Sequence, residues 1–228
     1  IQNCQFNPSS YTHQGLYYDS IPLQTADALK QILWRDSTPY LFGDTTGEIL
    51  HENFVFGGSR GVHLVEENGR GPSGHCMGFG VDQCTNSLQI DDIGTGGFDM
   101  INSQIVTVDS VKGRYLETGS SFDDTFRMFS SSGWGNCQYA AALYGGDIQL
   151  QLFHLARGCT TGAFTVHNDA NLQNLGGDLR EYLDPALPFL TIDQTATAAF
   201  IGNVINTDAA NMPENTENTT TLGNLQVQ

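Results

Sequence analysis

Two adjacent carboxylates, Asp91 and Asp92, are the residues of this sequence best suited to acid–base chemistry. Hydrolysis of a glycosidic bond needs one carboxyl group as acid and a second as base or nucleophile, some 5 to 9 Å apart. Adjacent residues of a strand point to opposite faces, so the pair can share one groove only where the chain bends. Gly94-Thr95-Gly96-Gly97 follows at once and predicts a bend. The alternative is a turn aspartate that bonds its own backbone.

Charged side chains also surround the polar loop of residues 66–74. Lyase chemistry removes a proton next to the carboxylate of a uronic acid, and it needs a base together with a cation or basic group that neutralises that carboxylate. Arg60, His63 and Glu66 are therefore candidate acid, base and charge-neutralising groups beside Asp91 and Asp92. The alternative is an ordinary surface loop with an ion pair.

Several common catalytic and metal-binding patterns are missing from the sequence. There is no Cys-x-x-Cys pair and hence no support for a zinc ribbon or a thioredoxin-type site. Residues 57–61, Gly-Gly-Ser-Arg-Gly, are a glycine-rich turn and not a nucleophile elbow. The spacing of His63, His154 and His167 suggests no metal triad, and we expect a structural role for each.

The five cysteines do not form an evident disulfide framework. Cys76 and Cys84 are close enough in sequence to bridge a loop, and free thiols are the alternative. Cys4 and Cys137 take the same place in an Asn-Cys-Gln repeat, where we expect free, buried side chains. The odd number leaves at least one thiol unpaired within a monomer.

The charge of the chain restricts its partners. Nine Lys and Arg residues stand against 25 Asp and Glu residues, a formal net charge of −16. Such a chain repels nucleic acid and anionic membrane surfaces, so we expect neither partner. No apolar run reaches the roughly 20 residues of a membrane span. Calcium held by carboxylates is the one cofactor that the acidic excess suggests; a solvated acidic surface, suited to salty extracellular water, is the alternative.

A repeated motif predicts the architecture. Residues 102–105, Asn-Ser-Gln-Ile, recur as Asn-Cys-Gln-Tyr at 136–139 and as Asn-Cys-Gln-Phe at 3–6. Each copy runs into a short strand, and a repeat of roughly 20–30 residues is typical of a stack of parallel strands. An antiparallel sandwich would need Asn-Gly or Asp-Gly hairpins between neighbouring strands, and only Asn68-Gly69 fits.

The predicted elements are one helix and many short strands. Residues 25–35 predict the helix, with Thr25 as its N-cap and with Leu29, Ile32 and Leu33 on one face. Residues 209–228 form a polar tail, looped over residues 211–221. We expect a single β-helix domain over residues 1–228. Because the chain begins with Ile1, in a stretch that already resembles a strand, we interpret it as part of a longer solenoid. Strands are expected at 52–56, 61–65, 87–90, 103–108, 125–129, 138–143, 147–153, 163–166, 189–192, 198–201 and 224–227.

Residues 96–106 and residues 134–139 resemble turns of the right-handed parallel β-helix of the pectate-lyase-like superfamily. The resemblance extends over about residues 50–207. It implies an all-β chain that forms a right-handed parallel β-helix (solenoid) with one short flanking α-helix. That superfamily contains polysaccharide lyases, polygalacturonase-like glycosidases, epimerases and phage tailspikes. The polygalacturonase-like motifs occur here incomplete and in reversed order, so the resemblance assigns no catalytic residue.

Two functions follow from this interpretation. The first is an extracellular or cell-surface protein that binds or acts on a polysaccharide, with the chemistry of a polysaccharide lyase or glycoside hydrolase if it is an enzyme. The second is a non-enzymatic β-helix that self-associates end to end as a surface filament, adhesin or tailspike segment. An enzyme should bring acid, base and basic groups together in one groove, whereas a structural stack should have a featureless surface and apolar ends.

Overall fold

The computed structural model describes residues 1–7, 23–109, 111–156, 158–181, 186–206 and 216–227. These residues form a parallel β-solenoid, and the one helix among them, α1, spans Leu23–Asp36. The prediction of an all-β parallel β-helix with a short flanking helix is confirmed. No helix of the described residues is long and apolar enough to cross a membrane.

Among the described residues, sheet A is a parallel sheet of eight strands, and each strand comes from a successive turn of the chain. Its strands, in spatial order, are β3 (Thr46–His51), β5 (Ser73–Met77), β7 (Phe98–Ile101), β10 (Thr125–Phe129), β13 (Asp147–Gln151), β16 (Asn171–Leu175), β19 (Thr197–Ile201) and β21 (Thr219–Leu222).

Within the described ranges, sheet B has 14 strands and covers two faces of the solenoid. The long strands β4 (Phe54–Leu64) and β6 (Gly80–Ile90) cross both faces. The first face also contains β1 (Gln5–Phe6), β8 (Gln104–Thr107), β11 (Ser132–Gly135), β14 (His154–Ala156), β17 (Asp178–Glu181), β20 (Val204–Asn206) and β22 (Leu225–Val227). The second face contains β2 (Tyr40–Phe42), β9 (Arg114–Thr118), β12 (Cys137–Leu143), β15 (Cys159–Val166) and β18 (Leu190–Ile192).

The strand register gives the length of a turn. On the first face, Gln104 pairs with Ser132, which lies 28 residues later, and Val204 pairs with Leu225, which lies 21 residues later. The predicted repeat of roughly 20–30 residues is therefore confirmed. Consequently, outward side chains that lie next to each other on adjacent strands are about one turn apart in the sequence.

Inward side chains stack in register to form the core. In sheet A, Phe98, Phe126, Ile148 and Leu172 are successive partners, and each is at most 1% exposed. Burying a side chain of this size contributes about 1.5–3 kcal/mol. Because the same stacking recurs on every turn, the core is a continuous column.

The corner between sheet A and the first face has the same backbone in successive turns. One residue has a left-handed conformation, as at Glu52 (φ 52°), Asn102 (φ 51°), Leu152 (φ 53°) and Gly202 (φ 67°). Glycine and asparagine adopt this conformation most readily. This is why Asn and Gly recur at strand entries in the sequence.

The residue after the left-handed corner is buried and often bonds the neighbouring turn. The side-chain oxygen of Asn53 accepts the backbone N–H of Cys4 at 2.9 Å, and that of Asn203 accepts the N–H of Gly177 at 2.6 Å. A buried backbone donor without a partner is costly, so these side chains stabilise the bend. At these two positions the asparagine side chain therefore satisfies a backbone group of the neighbouring turn.

The sequence alone assigns one copy of the repeat, at Asn136, to the wrong corner of the solenoid. Gln104 pairs with Ser132 and not with Gln138, so Asn136 lies at a different corner, between β11 and β12. The prediction that Cys4 and Cys137 are equivalent is therefore wrong. The expected burial is confirmed for Cys137, whereas Cys4 is exposed. The suggested bridge between Cys76 and Cys84 is also wrong, because Cys76 lies on β5 of sheet A and Cys84 on β6 of sheet B, and both thiols are free.

The helix and the tail also differ from prediction. Helix α1 begins at Leu23, so Thr25 lies inside the helix and is not its N-cap. Leu29 is 37% and Ile32 is 49% exposed, so the predicted apolar face is not fully covered by the described residues. Residues 207–215 lie outside the described residues. Strand β21 pairs with β19, so the predicted loop is wrong over Thr219–Thr221, whereas the predicted strand at 224–227 is confirmed by β22, which pairs with β20.

Candidate functional site

A network of polar side chains lies on the second face, across strands β4, β6 and β9. Register pairing brings it together, because His63 is the partner of Gln89 and Arg60 is the partner of Asn86. Asn86 and Gln89 pair in turn with residues of β9. We call this network the polar patch. It consists of Arg60, His63, Asn86, Gln89, Asp91, Arg114 and Glu117.

Asp91 has two side-chain partners within the polar patch. Its Oδ2 lies 2.6 Å from His63 Nε2, and its Oδ1 accepts a hydrogen bond of 2.9 Å from Gln89 Nε2. The hydrogen bond from His63 holds the pKa of Asp91 below its usual range, against the opposing effect of burial, and Arg60 adds a further favourable charge. The structure therefore brings together three of the five predicted site residues, Arg60, His63 and Asp91.

The other carboxylate of the polar patch, Glu117, is paired in the same way. Its Oε2 lies 2.8 Å from Arg114 Nη1 and accepts a 3.2 Å hydrogen bond from Asn86 Nδ2. Arg60 forms no ion pair with the described residues, and its buried Nε has no hydrogen-bond partner among them. The patch thus contains two carboxylates with basic partners and one guanidinium without a carboxylate.

Asp92 and Glu66 lie apart from the polar patch. Partial burial raises the pKa of Asp92, and the negative charges of Glu66, Asp123 and Asp124 raise it further. The chain turns between Asp91 and Asp92, and only Asp91 contacts His63. The two adjacent carboxylates therefore have opposite electrostatic surroundings, and Asp92 with Glu66 forms a second, acidic group.

A groove crosses the outer surface of the first face, away from the polar patch. Its volume is about 420 Å³. It crosses five neighbouring strands, β1, β4, β6, β8 and β11, which corresponds to about 19 Å along the solenoid axis at the usual strand spacing. It is lined by Gln5, Glu52, Asn53, Phe54, Gly78, Phe79, Gly80, Val81, Asp82, Asn102, Gln104, Val106 and Trp134.

Two aromatic rings shape this groove. The Phe54 ring lies against the backbone of Gly80: a Cβ at Gly80 would come within 2.5 Å of Phe54 Cδ2. Trp134 is 44% exposed and lies beside Val106, its register partner on β8. Glycine at position 80 therefore makes room for one ring, and the other ring presents apolar surface to solvent.

Asp82 is the less exposed of the two carboxylates that line the groove. It lies at a β-bulge, because β6 has one more residue than β8 between Val81 and Cys84. Gln83, the next residue, has a left-handed backbone with φ of 54°. Burial raises the pKa of Asp82 above its usual range, and a backbone hydrogen bond from Gln83 offsets part of that shift. A carboxyl group of this kind is a candidate proton donor.

The groove has a distinct electrostatic character. Its polar lining consists of the two carboxylates Glu52 and Asp82 and of several amides, and no Lys, Arg or His of the described chain lines it. Carboxylates and amides bind hydroxyl groups, whereas the two carboxylates repel an anionic ligand. The groove therefore fits a neutral, hydroxyl-rich ligand with apolar ring faces.

The described residues offer no preformed metal centre. No group of three or more His, Cys, Asp or Glu side chains within them is arranged to hold a metal ion. The aspartates near the turns, Asp123, Asp147 and Asp169, line a shallow pocket of about 250 Å³ but do not converge on one point. The predicted calcium site therefore has no structural support in this part of the chain.

Other histidines have carboxylate partners about one turn later in the chain. His75 Nδ1 lies 3.0 Å from Asp99, and His167 Nδ1 lies 2.9 Å from Asp193. His167 Nε2 also lies 2.6 Å from the hydroxyl of Thr165, so hydroxyl, imidazole and carboxylate follow one another as in a catalytic triad. Thr165, however, is only 4% exposed. We therefore interpret this group as a structural connection between turns.

The groove is not evident from the sequence because its lining comes from residues 5 to 134. Trp134 is recognisable in the sequence as an aromatic that could stack on a sugar ring, but Phe54 and Asp82 have no signal of their own. The pairing of His63 with Asp91 is easier to find from the sequence, because the two residues are 28 positions apart, which is the length of the longest turn measured above. Once the turn length is known, such pairs can be found from the sequence.

The comparisons with known proteins gave no relative. No family model, no curated protein and no solved structure matches this chain. Its function must therefore be argued from its own geometry.

Proposed function

We propose that this protein binds a neutral glycan in the groove of the first face. The observation that carries the proposal is the combination, in one open groove, of the exposed Trp134 ring, the Phe54 ring and a lining of carboxylates and amides without basic residues. Sugar rings present apolar faces that pack on aromatic side chains and hydroxyl groups that bond to carboxylates and amides. The length of the groove fits a linear chain lying along the solenoid axis.

Within this proposal, Asp82 is the candidate catalytic acid. Its raised pKa suits a group that must hold a proton before it protonates the leaving oxygen of a glycoside. Glu52 is the other carboxylate in the lining and the candidate partner. Glycoside hydrolysis is thus favoured over lyase chemistry here, since a lyase would need a basic group beside a uronate carboxylate.

The polar patch is the alternative location for an acidic glycan. Arg60 would meet the carboxylate, and His63, bonded to Asp91, would be the base. The specific observation in its favour is the Arg60 guanidinium, whose buried Nε has no partner among the described residues. Asp91 and Glu117 lie in the same patch and oppose an anion, so we favour the groove.

A place among the pectate-lyase-like proteins and an extracellular or cell-surface location belong to the same proposal. Their support is the parallel β-solenoid together with an outer surface that carries a groove suited to glycans. The acidic composition suits a protein that stays soluble in salt.

The test is incubation of the protein with neutral and acidic polysaccharides, with and without calcium. Binding is measured by co-sedimentation, hydrolysis by new reducing ends and elimination by ultraviolet absorbance of unsaturated products. We expect binding to a neutral polysaccharide. If it is cleaved, Asp82→Asn should abolish cleavage and retain binding, whereas Asp92→Asn, outside the groove, should change neither. Elimination products from an acidic polysaccharide would instead identify the polar patch. Absence of binding across the panel would contradict the proposal and favour the self-associating structural role.

A further inference from the structure

Cys137 and Cys159 face each other across neighbouring turns of the solenoid. Cys137 is the first residue of β12 and Cys159 the first of β15, and the two are register partners. Their Sγ atoms lie 3.5 Å apart, and neither residue is more than 1% exposed. No other pair of cysteines is aligned in this way within the described residues.

The backbone geometry of this pair suits a disulfide bond. Partner residues of adjacent strands are separated by about 4.8 Å, which lies inside the Cα separation of about 4.4–6.8 Å found across disulfides. A bond of about 2.05 Å requires the two sulfur atoms to approach each other by side-chain rotation. The register is irregular between Cys137 and Tyr139, so the pair lies at the end of the regular ladder, where small backbone adjustments are tolerated.

We propose that Cys137 and Cys159 are joined by a disulfide bond between turns when the protein folds in the presence of a small-molecule disulfide such as oxidised glutathione. The thiolate of one cysteine attacks the oxidant, forms a mixed disulfide and releases one molecule of reduced glutathione. The second cysteine then attacks the protein sulfur of the mixed disulfide and releases the second molecule. The two protein thiols lose two protons and two electrons, and the oxidant gains both.

The surroundings of the two cysteines indicate that the disulfide forms during folding and not afterwards. The hydrogen bond with Cys137 and burial raise the pKa of the Cys159 thiol well above its usual range. Beside the pair, the hydroxyl of Tyr115 donates a 2.8 Å hydrogen bond to the carbonyl of Gly135, and burial raises the pKa of this phenol. In the folded core the Cys159 thiol therefore stays protonated, and the Tyr115 phenol is not ionised to act as its base. Reagents also have no access to the buried pair. A bond formed during folding is, for the same reason, protected from reductants.

The test compares protein refolded with oxidised and reduced glutathione with protein refolded in excess reductant. Both samples are unfolded, alkylated and digested with trypsin, which cleaves after Arg127, Arg157 and Arg180 and leaves each cysteine of the pair on its own peptide. We expect peptides 128–157 and 158–180 to be joined in the oxidised sample only. Cys76 and Cys84 serve as internal controls and should be alkylated in both samples.

A second measurement follows the effect on stability. Oxidised wild-type protein should melt roughly 5 to 15 °C above its reduced form, whereas the Cys137→Ala and Cys159→Ala variants should show no such difference. Each variant retains one thiol of the pair and the three other cysteines, so the variants also report any wrong pairing. Alkylation of all five cysteines in correctly refolded, oxidised protein would overturn the proposal, as would a linkage of Cys137 or Cys159 to a different cysteine.

Discussion

Strands β4 and β6 contribute to both the polar patch and the groove, but the aspartates of the two regions have different surroundings. In the patch, Asp91 is bonded to His63 and Gln89. In the groove, Asp82 is partly buried and has no cationic partner among the described residues. Hydrogen bonds lower the pKa of the first carboxyl, and burial raises the pKa of the second.

This difference distinguishes a structural network from a binding site. Groups that satisfy one another across adjacent turns stabilise the stack and have little capacity left for a ligand. A partly buried acid in the same groove as an exposed aromatic ring is typical of a functional site, because burial of the acid without a cationic partner is costly to the folded protein. Substitutions in the patch should therefore change stability, and substitutions in the groove should change binding.

The largest effect should come from removing the aromatic ring of the groove. Trp134→Ala should weaken binding of a neutral oligosaccharide between tenfold and a hundredfold, about 1.4–2.8 kcal/mol, because the apolar sugar face loses its contact. Isothermal titration calorimetry measures the change. Val111→Ala is the control, because Val111 is 77% exposed and lies outside the groove. Equal affinities of the two variants would show that the groove is not the binding site.

The next effect concerns the polar patch. Asp91→Ala should lower the free energy of unfolding by about 1–2 kcal/mol at neutral pH, because His63 and Gln89 lose their acceptor. The partial exposure of Asp91 keeps the effect at the lower end of that range. Urea denaturation measures it, and oligosaccharide affinity should be unchanged. A large loss of affinity without loss of stability would reverse the assignments of patch and groove.

A smaller effect tests the strain at the corner of the groove. Glu52 and Leu152 both have the left-handed backbone that glycine adopts without penalty. Glu52→Gly and Leu152→Gly should each stabilise the protein by about 0.5–1 kcal/mol, the relief of strain being partly offset by the entropy of glycine. Thermal unfolding measures both variants. Only Glu52→Gly should weaken glycan binding, and an equal loss in Leu152→Gly would contradict the groove assignment.

The smallest effect is the difference in pH dependence between the two carboxylates. Because the folded pKa of Asp91 is lowered, its contribution to stability is complete above the unfolded value of about 3.9 and is lost as the pH falls through the folded pKa. Because the folded pKa of Asp82 is raised, its penalty is complete above that folded pKa and disappears as the pH falls below about 3.9.

The Asn variants make this difference measurable. At neutral pH, Asp91→Asn should destabilise the protein and Asp82→Asn should stabilise it by a few tenths of a kcal/mol. Both differences from wild type should shrink as the pH falls toward 3 in urea titrations. Changes of the same sign in the free energy of unfolding of the two variants at neutral pH would show that the carboxylates have similar surroundings.

The sequence predicted the solenoid because each turn repeats the same local chemistry, with Asn or Gly at a corner followed by an alternating strand. It failed where a strand lacks that alternation or is rich in polar residues. Strand β16 (Asn171–Leu175) was not predicted, because the polar Asn174 takes an inward position and the apolar Leu175 an outward one, which breaks the alternation. Its inward Leu172 takes its place in the core column only through pairing with Ile148 of the previous turn.

The candidate sites were predictable to different degrees for a related reason. His63 and Asp91 lie at the ends of strands that the sequence partly predicts, and a single turn separates them. The groove required the register of five strands and the β-bulge at Asp82, and neither has a local signature. Long-range register is set by the stacking of whole turns, and the misaligned copy at Asn136 shows how easily it is mistaken in the sequence alone.

The most direct test of the groove uses the two tryptophans of the chain as reporters. Trp134 lies in the groove and Trp34 lies in helix α1, so their indole N–H signals can be followed separately by NMR in ¹⁵N-labelled protein. Titration with the neutral oligosaccharide that the polysaccharide panel identifies should shift the Trp134 signal in a saturable way and leave the Trp34 signal unchanged. Binding that leaves the Trp134 signal unmoved would contradict the central claim.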